Sequence, residues 1–328
     1  MHINVHLFVR INKEVLTMKI SIIEPLGVKQ EKLLDLLTEI SKEHEVVIFP
    51  NKKEDEETLI ERCKDADIIV LTNIKLSKNV LEKCPNLKYI CVAFTGFNHI
   101  DMDYCNHNNI LVSNCAGYST NAVAELVFGL IINIYRHINE HNLAIRNEAK
   151  AILSSNEMAN KKFGVIGLGT IGKKVATIAK AFDCDVYYYS KNSRSKDFKY
   201  LELDELLQTC DIISIHLAQN EETINLINKE KIALMRKNSI LINTARGPIV
   251  NSEDLAKALN DGKIKAAGID VYEKEPPIDL NHPLLNCKNC LTTPHIGFSS
   301  YEALEKRAVI VKNNLTAYLN GKPINIVK

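Results

Sequence analysis

The stretch FGVIGLGTIGKKVA, residues 163–176, decides how the chain is read. A short apolar run meets Gly167, Gly169 and Gly172, and a helix-period pattern begins at once. In G-x-G-x-x-G at a strand-to-helix turn, the first glycine permits the tight turn. The second lets a pyrophosphate approach the backbone, and the third lets helix and strand pack closely. The start of the helix adds unpaired N–H groups and a positive dipole end. A plain glycine turn is the competing reading, and the strand before and helix after favour a dinucleotide site. Thr170 and Ile171, inside the motif, join the glycines as candidate cofactor contacts.

Outward from this stretch, short Val/Ile-rich runs alternate with helix-period segments almost throughout. ISIIEP, EVVIF, DIIVL and YICVAF precede it, and DVYYYS, DIISIH, SILINTA and AAGIDVY follow. Strands apolar on both faces and separated by helices indicate a parallel sheet covered on both sides. There are too many for one sheet, so the fold class is α/β with two doubly wound parallel-sheet domains. Residues 119–138 read as a long apolar helix, either linking the domains, facing a second subunit or lying in one core. SSYEALEKRAVIVKNNLTAYLN near the end is a second long helix.

The strand CDVYYYSKNSRSK bears on the choice of dinucleotide. An acidic residue at its end would bind the ribose hydroxyls of NAD. That position holds Ser190, followed by Lys191 and Arg194, while Asp183 and Asp185 lie too early. A hydroxyl and two cations suit a 2′-phosphate. The cofactor is NADP or NAD, with NADP slightly favoured; an exposed polar loop is the alternative.

Three further strand ends carry chemistry: INTARGPIV, GIDVYEKEPP and TTPHIGFSS. In a doubly wound sheet the carboxyl ends of the strands face the ligand crevice. Arg246 can clamp a carboxylate. His295 can exchange a proton with a hydroxyl or carbonyl, and a neighbouring carboxylate, Glu275, holds it oriented. Taken singly, Arg246 could cap a helix, Glu275 could be solvated beside two prolines and His295 could bond structurally. Their shared placement favours function.

Composition narrows the classes. The 328 residues carry a formal net charge of +1, which gives no support to a nucleic-acid groove or a charged membrane patch. No apolar run approaches the length of a membrane span. Residues 1–17 precede a second methionine and read as an N-terminal extension without secretory features. Nine scattered cysteines suggest no disulfide framework, and the lone pair Cys287/Cys290 lacks the second pair a zinc site needs. A cytoplasmic chain without metal is expected.

GVIGLGTIG, LINTARGPIV, GIDVYEKEPP and TPHIGFSS, with TGFNHIDM and NCAGYSTNAVAELVFGL upstream, resemble the D-isomer-specific 2-hydroxyacid dehydrogenases from Met18 to Lys328. The resemblance is greatest to a hydroxypyruvate/glyoxylate reductase or glycerate dehydrogenase-like branch. It implies a flavodoxin-like substrate domain, residues 18–117 and 297–328, and a Rossmann cofactor domain, residues 118–296, with the active site in the cleft between them. It further implies that Arg246 binds the substrate carboxylate and keto oxygen, that His295 is the acid/base and that Glu275 supports it. Thr95 and Gly96 would offer backbone N–H groups to the carboxylate, Asp270 would face the nicotinamide carboxamide, and Thr244 would join the cofactor contacts. A homodimer through residues 119–138 is expected. The partner molecule is a small 2-keto acid, with Phe94 and Phe97 lining its side-chain pocket; a bulkier apolar keto acid is the alternative substrate. A nucleotide-sensing corepressor of the same fold is the alternative class. The chain departs from the family pattern in lacking tryptophan, in carrying Ala218 in HLAQ and in having Ser190 where aspartate is usual.

Overall fold

Val- and Ile-rich runs form the central strands, where both faces are covered; the shorter, more polar runs form the edges. The computed structural model describes residues 17–148, 153–275 and 277–328. The expected extension, residues 1–17, lies outside these apart from Thr17. The chain divides into two units: residues through Cys115 with Arg307–Lys328, and Ala116–Lys306.

The first unit alternates β1 (Lys19–Ile22), α1 (Gln30–Leu36), α2 (Thr38–Ser41), β2 (Glu45–Ile48), α3 (Glu56–Cys63), β3 (Ile68–Leu71), α4 (Lys78–Leu81), β4 (Tyr89–Val92), α5 (Met102–His107) and β5 (Leu111–Ser113). The parallel order β2-β1-β3-β4-β5 is the flavodoxin-like winding. Every residue of β3 and β4 is buried, whereas edge strand β2 is only partly so.

The second unit begins with α6 (Thr120–Arg136) and α7 (Ile138–Arg146). It continues through β6 (Lys162–Ile166), α8 (Thr170–Ala181), β7 (Asp185–Tyr189), β8 (Lys199–Tyr200), α9 (Leu203–Thr209), β9 (Ile212–Ile215), α10 (Lys229–Leu234) and β10 (Ile240–Asn243). The last elements are α11 (Ser252–Asn260), β11 (Ala266–Ile269) and β12 (Cys290–Thr292). All seven strands are parallel, in the order β12-β11-β10-β9-β6-β7-β8. The order reverses at β6/β9, and that switch point lies where the glycine turn leaves the sheet. Burying one Val, Leu or Ile contributes about 1.5–3 kcal/mol, so the fully buried β9, β10 and β11 form a stiff base for the loops at their ends.

For residues 119–138 the core reading is met, and one unit boundary differs from the expected one. Helix α6 belongs to the core of its unit: Val123, Ala124, Val127, Phe128, Leu130, Ile131 and Tyr135 are buried there. Of these two helices, α7 is the one with large exposed apolar side chains, at Ile138, Leu143 and Ile145. The second boundary also falls later than 296/297, inside α12 (Tyr301–Leu319). Gly297 N–H is held by Asp270 and Lys306 Nζ by the Gly117 carbonyl. From Arg307 onward the bonds are to the first unit, Arg307 to the Leu26 carbonyl and Asn314 to the Asn114 carbonyl. Strand β13 (Ile326–Val327) then adds antiparallel to β5. Among the described residues no helix is long and apolar enough to cross a membrane.

Candidate active site

The three glycines of the turn are required for different reasons. Gly167 has φ +97°, and a Cβ there would stand 2.4 Å from the His216 carbonyl oxygen. A Cβ on Gly172 would stand 2.0 Å from the Gly167 carbonyl oxygen, so this glycine brings α8 against the turn. Gly169 is different: a Cβ there would meet nothing within 4 Å. Nothing among the described residues excludes a side chain at 169, so the open space is what an approaching ligand would use. Gly169 is also the N-cap of α8 and supplies no capping side chain, and no acidic residue lies in the first turn. The leading N–H groups, at Thr170, Ile171 and Gly172, are thus left for an anion.

At the neighbouring strand ends, Gly167 N–H donates to the Tyr189 carbonyl (2.8 Å), which sets Ser190 beside the turn. Ser190 is buried and its Oγ accepts from Ser193 N–H (3.1 Å). Arg194 braces the same loop, donating to the Ser190 carbonyl (2.7 Å) and lying over the Tyr200 ring at 4.8 Å. Lys191 is exposed and pairs with Glu222 (2.7 Å), a carboxylate the motif reading overlooked. Asp183 precedes β7 and Asp185 begins it, about 16 Å of strand from Ser190. At the end of β10, Thr244 Oγ1 is buried and has no hydrogen-bond partner among the described residues. An uncapped helix start, a cradle without a Cβ and an orphaned hydroxyl together fit a dinucleotide.

The reactive groups leave three adjacent strands. Asn243, Ile269 and Thr292 stand side by side in the register of β10, β11 and β12. The chain beyond them carries Arg246, then Asp270 and Glu275, then His295. His295 Nδ1 is hydrogen-bonded to Glu275 Oε2, and Glu275 Oε1 accepts from Tyr272 N–H (2.6 Å). With Nδ1 on the carboxylate, Nε2 is the other ring atom able to exchange a proton. The edge of the imidazole meets the Phe298 ring, with centroids 5.5 Å apart. Burial draws the Arg246 pKa down, and the nearby Glu275 and Tyr118 oppose that shift; a guanidinium remains charged at neutral pH. Arg246, Glu275 and His295 therefore share one corner. Thr95 and Gly96 lie in the first unit, half-buried after β4, where Asn114 Nδ2 donates to the Thr95 carbonyl (2.7 Å).

Asp270 is bonded to the loop that follows β12. Its side chain is fully buried, and both oxygens serve the loop that carries His295. Oδ1 accepts from Thr293 Oγ1 (2.6 Å) and Ile296 N–H (2.8 Å), and Oδ2 accepts from Gly297 N–H (2.8 Å). Burial pushes its pKa up, and these donors and His295 pull it back. His295 has φ +55°, a left-handed conformation that costs about 1–2 kcal/mol. Hydrogen bonds to a charged group contribute about 1.5–3 kcal/mol each, so Asp270 is able to hold that loop. Asp270 thus ties the end of β11 to the loop that carries His295.

Other supporting residues escaped the sequence reading. Asn243, at 1% exposure, accepts from Ala245 N–H (3.0 Å) and donates to the Arg246 carbonyl (3.0 Å), shaping the Arg246 turn. A Cβ on Gly247 would stand 2.1 Å from the Tyr272 carbonyl carbon, so this glycine lets the Arg246 segment touch the one bearing Glu275. A glycine directly after a strand-end arginine was the only signal.

Residues 128–297 match the D-isomer specific 2-hydroxyacid dehydrogenase, NAD binding domain. A hydroxypyruvate reductase of Blautia hydrogenotrophica is 37% identical over 286 residues, covering 83% of this chain and 88% of that protein. The chain belongs to the D-isomer-specific 2-hydroxyacid dehydrogenase family. A glyoxylate reductase of Thermofilum pendens is 38% identical over 273 residues, covering 80% of each chain. Among solved structures, an acyclic imino acid reductase (Bsp5) in complex with NADPH and D-Arg superposes with a TM-score of 0.87. It is 31% identical, with 95% of this chain and all of that one covered. This D-2-hydroxyacid dehydrogenase is an oxidoreductase that moves a hydride between NAD(P)H and C2 of a 2-keto or 2-hydroxy acid. The corepressor alternative is not favoured by these relatives.

The glycine analysis separates binding from folding. Gly169→Ala should leave the urea midpoint unchanged while weakening dinucleotide binding about tenfold or more, read by titrating nucleotide fluorescence. Gly172→Ala should destabilise the protein by about 1–3 kcal/mol. Equal affinity in wild type and Gly169→Ala would remove the pyrophosphate from this turn.

Proposed function

We propose that this dehydrogenase reduces a small 2-keto acid, hydroxypyruvate or glyoxylate, with NADPH favoured narrowly over NADH. The observation that carries the reading is the contact of His295 with Glu275 in the corner shared with Arg246. Relatives named hydroxypyruvate reductase and glyoxylate reductase support the substrate class.

Arg246 binds the carboxylate and keto oxygen of the substrate through its guanidinium fork. When bound, the reduced nicotinamide supplies the hydride that C2 receives. His295 Nε2 gives its proton to the keto oxygen, and takes one back in the oxidative direction. Glu275 keeps the ring turned so that Nε2 is the donor, and Asp270 holds the loop on which the ring is carried.

Ser190 and Arg194 support NADP, because no carboxylate ends β7 to repel a 2′-phosphate. Glu222, paired with Lys191, keeps the margin narrow. A homodimer is part of the proposal, with the exposed apolar residues of α7 as the contact rather than α6. Light scattering should give twice the 36.9 kDa chain mass, and a monomer would dispose of it. Nine free cysteines suit a cytoplasmic location, which cell fractionation tests.

Purified protein mixed with NADPH or NADH and a panel of 2-keto acids, followed by loss of reduced-nicotinamide absorbance, should turn over the small acids fastest. His295→Ala should lower kcat by about 10²–10⁴-fold with nucleotide affinity unchanged. Silence with every acid, or full activity in the variant, would overturn the reading. Ser190→Asp should move the NADPH/NADH preference about tenfold or more towards NADH; an unchanged ratio would free Ser190 from that role.

A further inference from the structure

A second carboxylate–imidazole pair stands two residues from the first and belongs to no part of the chemistry above. Glu273 Oε1 accepts from Ser252 Oγ (2.6 Å), and its Oε2 accepts from His282 Nε2 (2.9 Å). The His282 Nδ1 atom accepts from Leu284 N–H (3.4 Å), which leaves Nε2 as the donor towards Glu273 even in the neutral ring. Its side chain is only 13% exposed, and its ring stands edge-on to Tyr272, with centroids 5.2 Å apart and planes at 89°.

Tyr272 is the link to the reaction. It is buried, its N–H donates to Glu275 Oε1 (2.6 Å), and its hydroxyl donates to the Thr293 carbonyl (3.2 Å). It thus touches both the segment that carries Glu275 and the loop that carries His295. Ser252 opens α11, whose N-cap Asn251 accepts from Asp254 N–H (3.0 Å) and whose Leu255 and Leu259 are buried in the core. Beyond His282, Cys287 Sγ donates to the Ala256 carbonyl of the same helix.

We propose that Glu273 and His282 are positioning residues that clamp the segment 270–282 to α11, and through Tyr272 hold Glu275 at the distance at which it orients His295. The idea rests on the reading of Glu275 and His295 given above. Among the described residues between β11 and the turn at 283–286 there is no strand or helix. The Ser252 and His282 bonds hold it at Glu273, two residues before Glu275. Although burial pushes the Glu273 carboxyl up, these two bonds outweigh it and hold the group below its usual range, so it is ionised at neutral pH. A shift of about 1 Å at a catalytic group costs up to about a hundredfold in rate, so a clamp acting at second hand has a measurable effect.

The test measures kcat and KM of the full-length enzyme in four variants. His282→Gln keeps an amide donor near the place of Nε2; His282→Phe keeps the ring edge against Tyr272 and loses the donor. Glu273→Ala removes the clamp, and Glu275→Gln is the reference. Glu273→Ala and His282→Phe should lower kcat about tenfold or more while KM for the nucleotide changes less than about twofold, and His282→Gln should restore most of the rate. In a Glu275→Gln background, Glu273→Ala should cause no further loss, because its effect runs through Glu275. If Glu275→Gln retains the full rate, the underlying reading of the site fails. If it loses rate while Glu273→Ala and His282→Phe do not, or if the losses multiply, the clamp fails.

Discussion

The hydrogen-bond register of β10, β11 and β12 is the constraint on which the site depends. Parallel pairing sets Asn243, Ile269 and Thr292 in one row, so the residues that follow leave the sheet together on one side. A guanidinium three residues past one strand, a carboxylate six residues past the next and an imidazole three residues past the third thereby reach a common corner. A slip of one residue in any of these strands would exchange its two faces and carry the group beyond its end out of the row. The apolar sheet is therefore the aligning device for the polar site.

Within that frame the loops are held by polar groups that do no chemistry themselves. Asn243 shapes the turn of Arg246, Asp270 holds the His295 loop against a left-handed backbone conformation, and Gly247 allows the first segment to touch the second. Asn243 acts along its own chain, whereas Asp270 and Gly247 act from one strand's loop to the next, so the site is stitched laterally as well as along the chain. The glycine turn at β6 is built on the opposite principle. There Gly167 and Gly172 satisfy the protein, and Gly169 leaves space that the protein does not fill.

Much of this was legible in the sequence, and the omissions have physical causes. Central strands such as IIVL and IISI are apolar on both faces and stand out. Strands β5, β8 and β13 have two or three residues each and gain their pairing from neighbours, so local pattern carries little trace of them. Helix α6 is apolar enough to suit a core or an interface, and only its packing on β10, β11 and α8 decides for the core. Arg246, Glu275 and His295 were readable because strand ends converge in any doubly wound sheet. The bonds Asp270 makes within the protein were not, because a carboxylate at a strand end carries no trace of the backbone it holds 26 positions away. Cations at 191 and 194 were readable as charges, but not as partners of Glu222 and of loop carbonyls.

The claim at the centre of this account is that Glu275 acts only by orienting His295. A double-mutant cycle on kcat, with Glu275→Gln, His295→Gln and the two combined, tests it most directly. The account predicts that the double variant is no slower than His295→Gln alone, since a carboxylate with no imidazole to hold has nothing left to do. Losses that multiply across the two substitutions would contradict it and give the two residues separate roles.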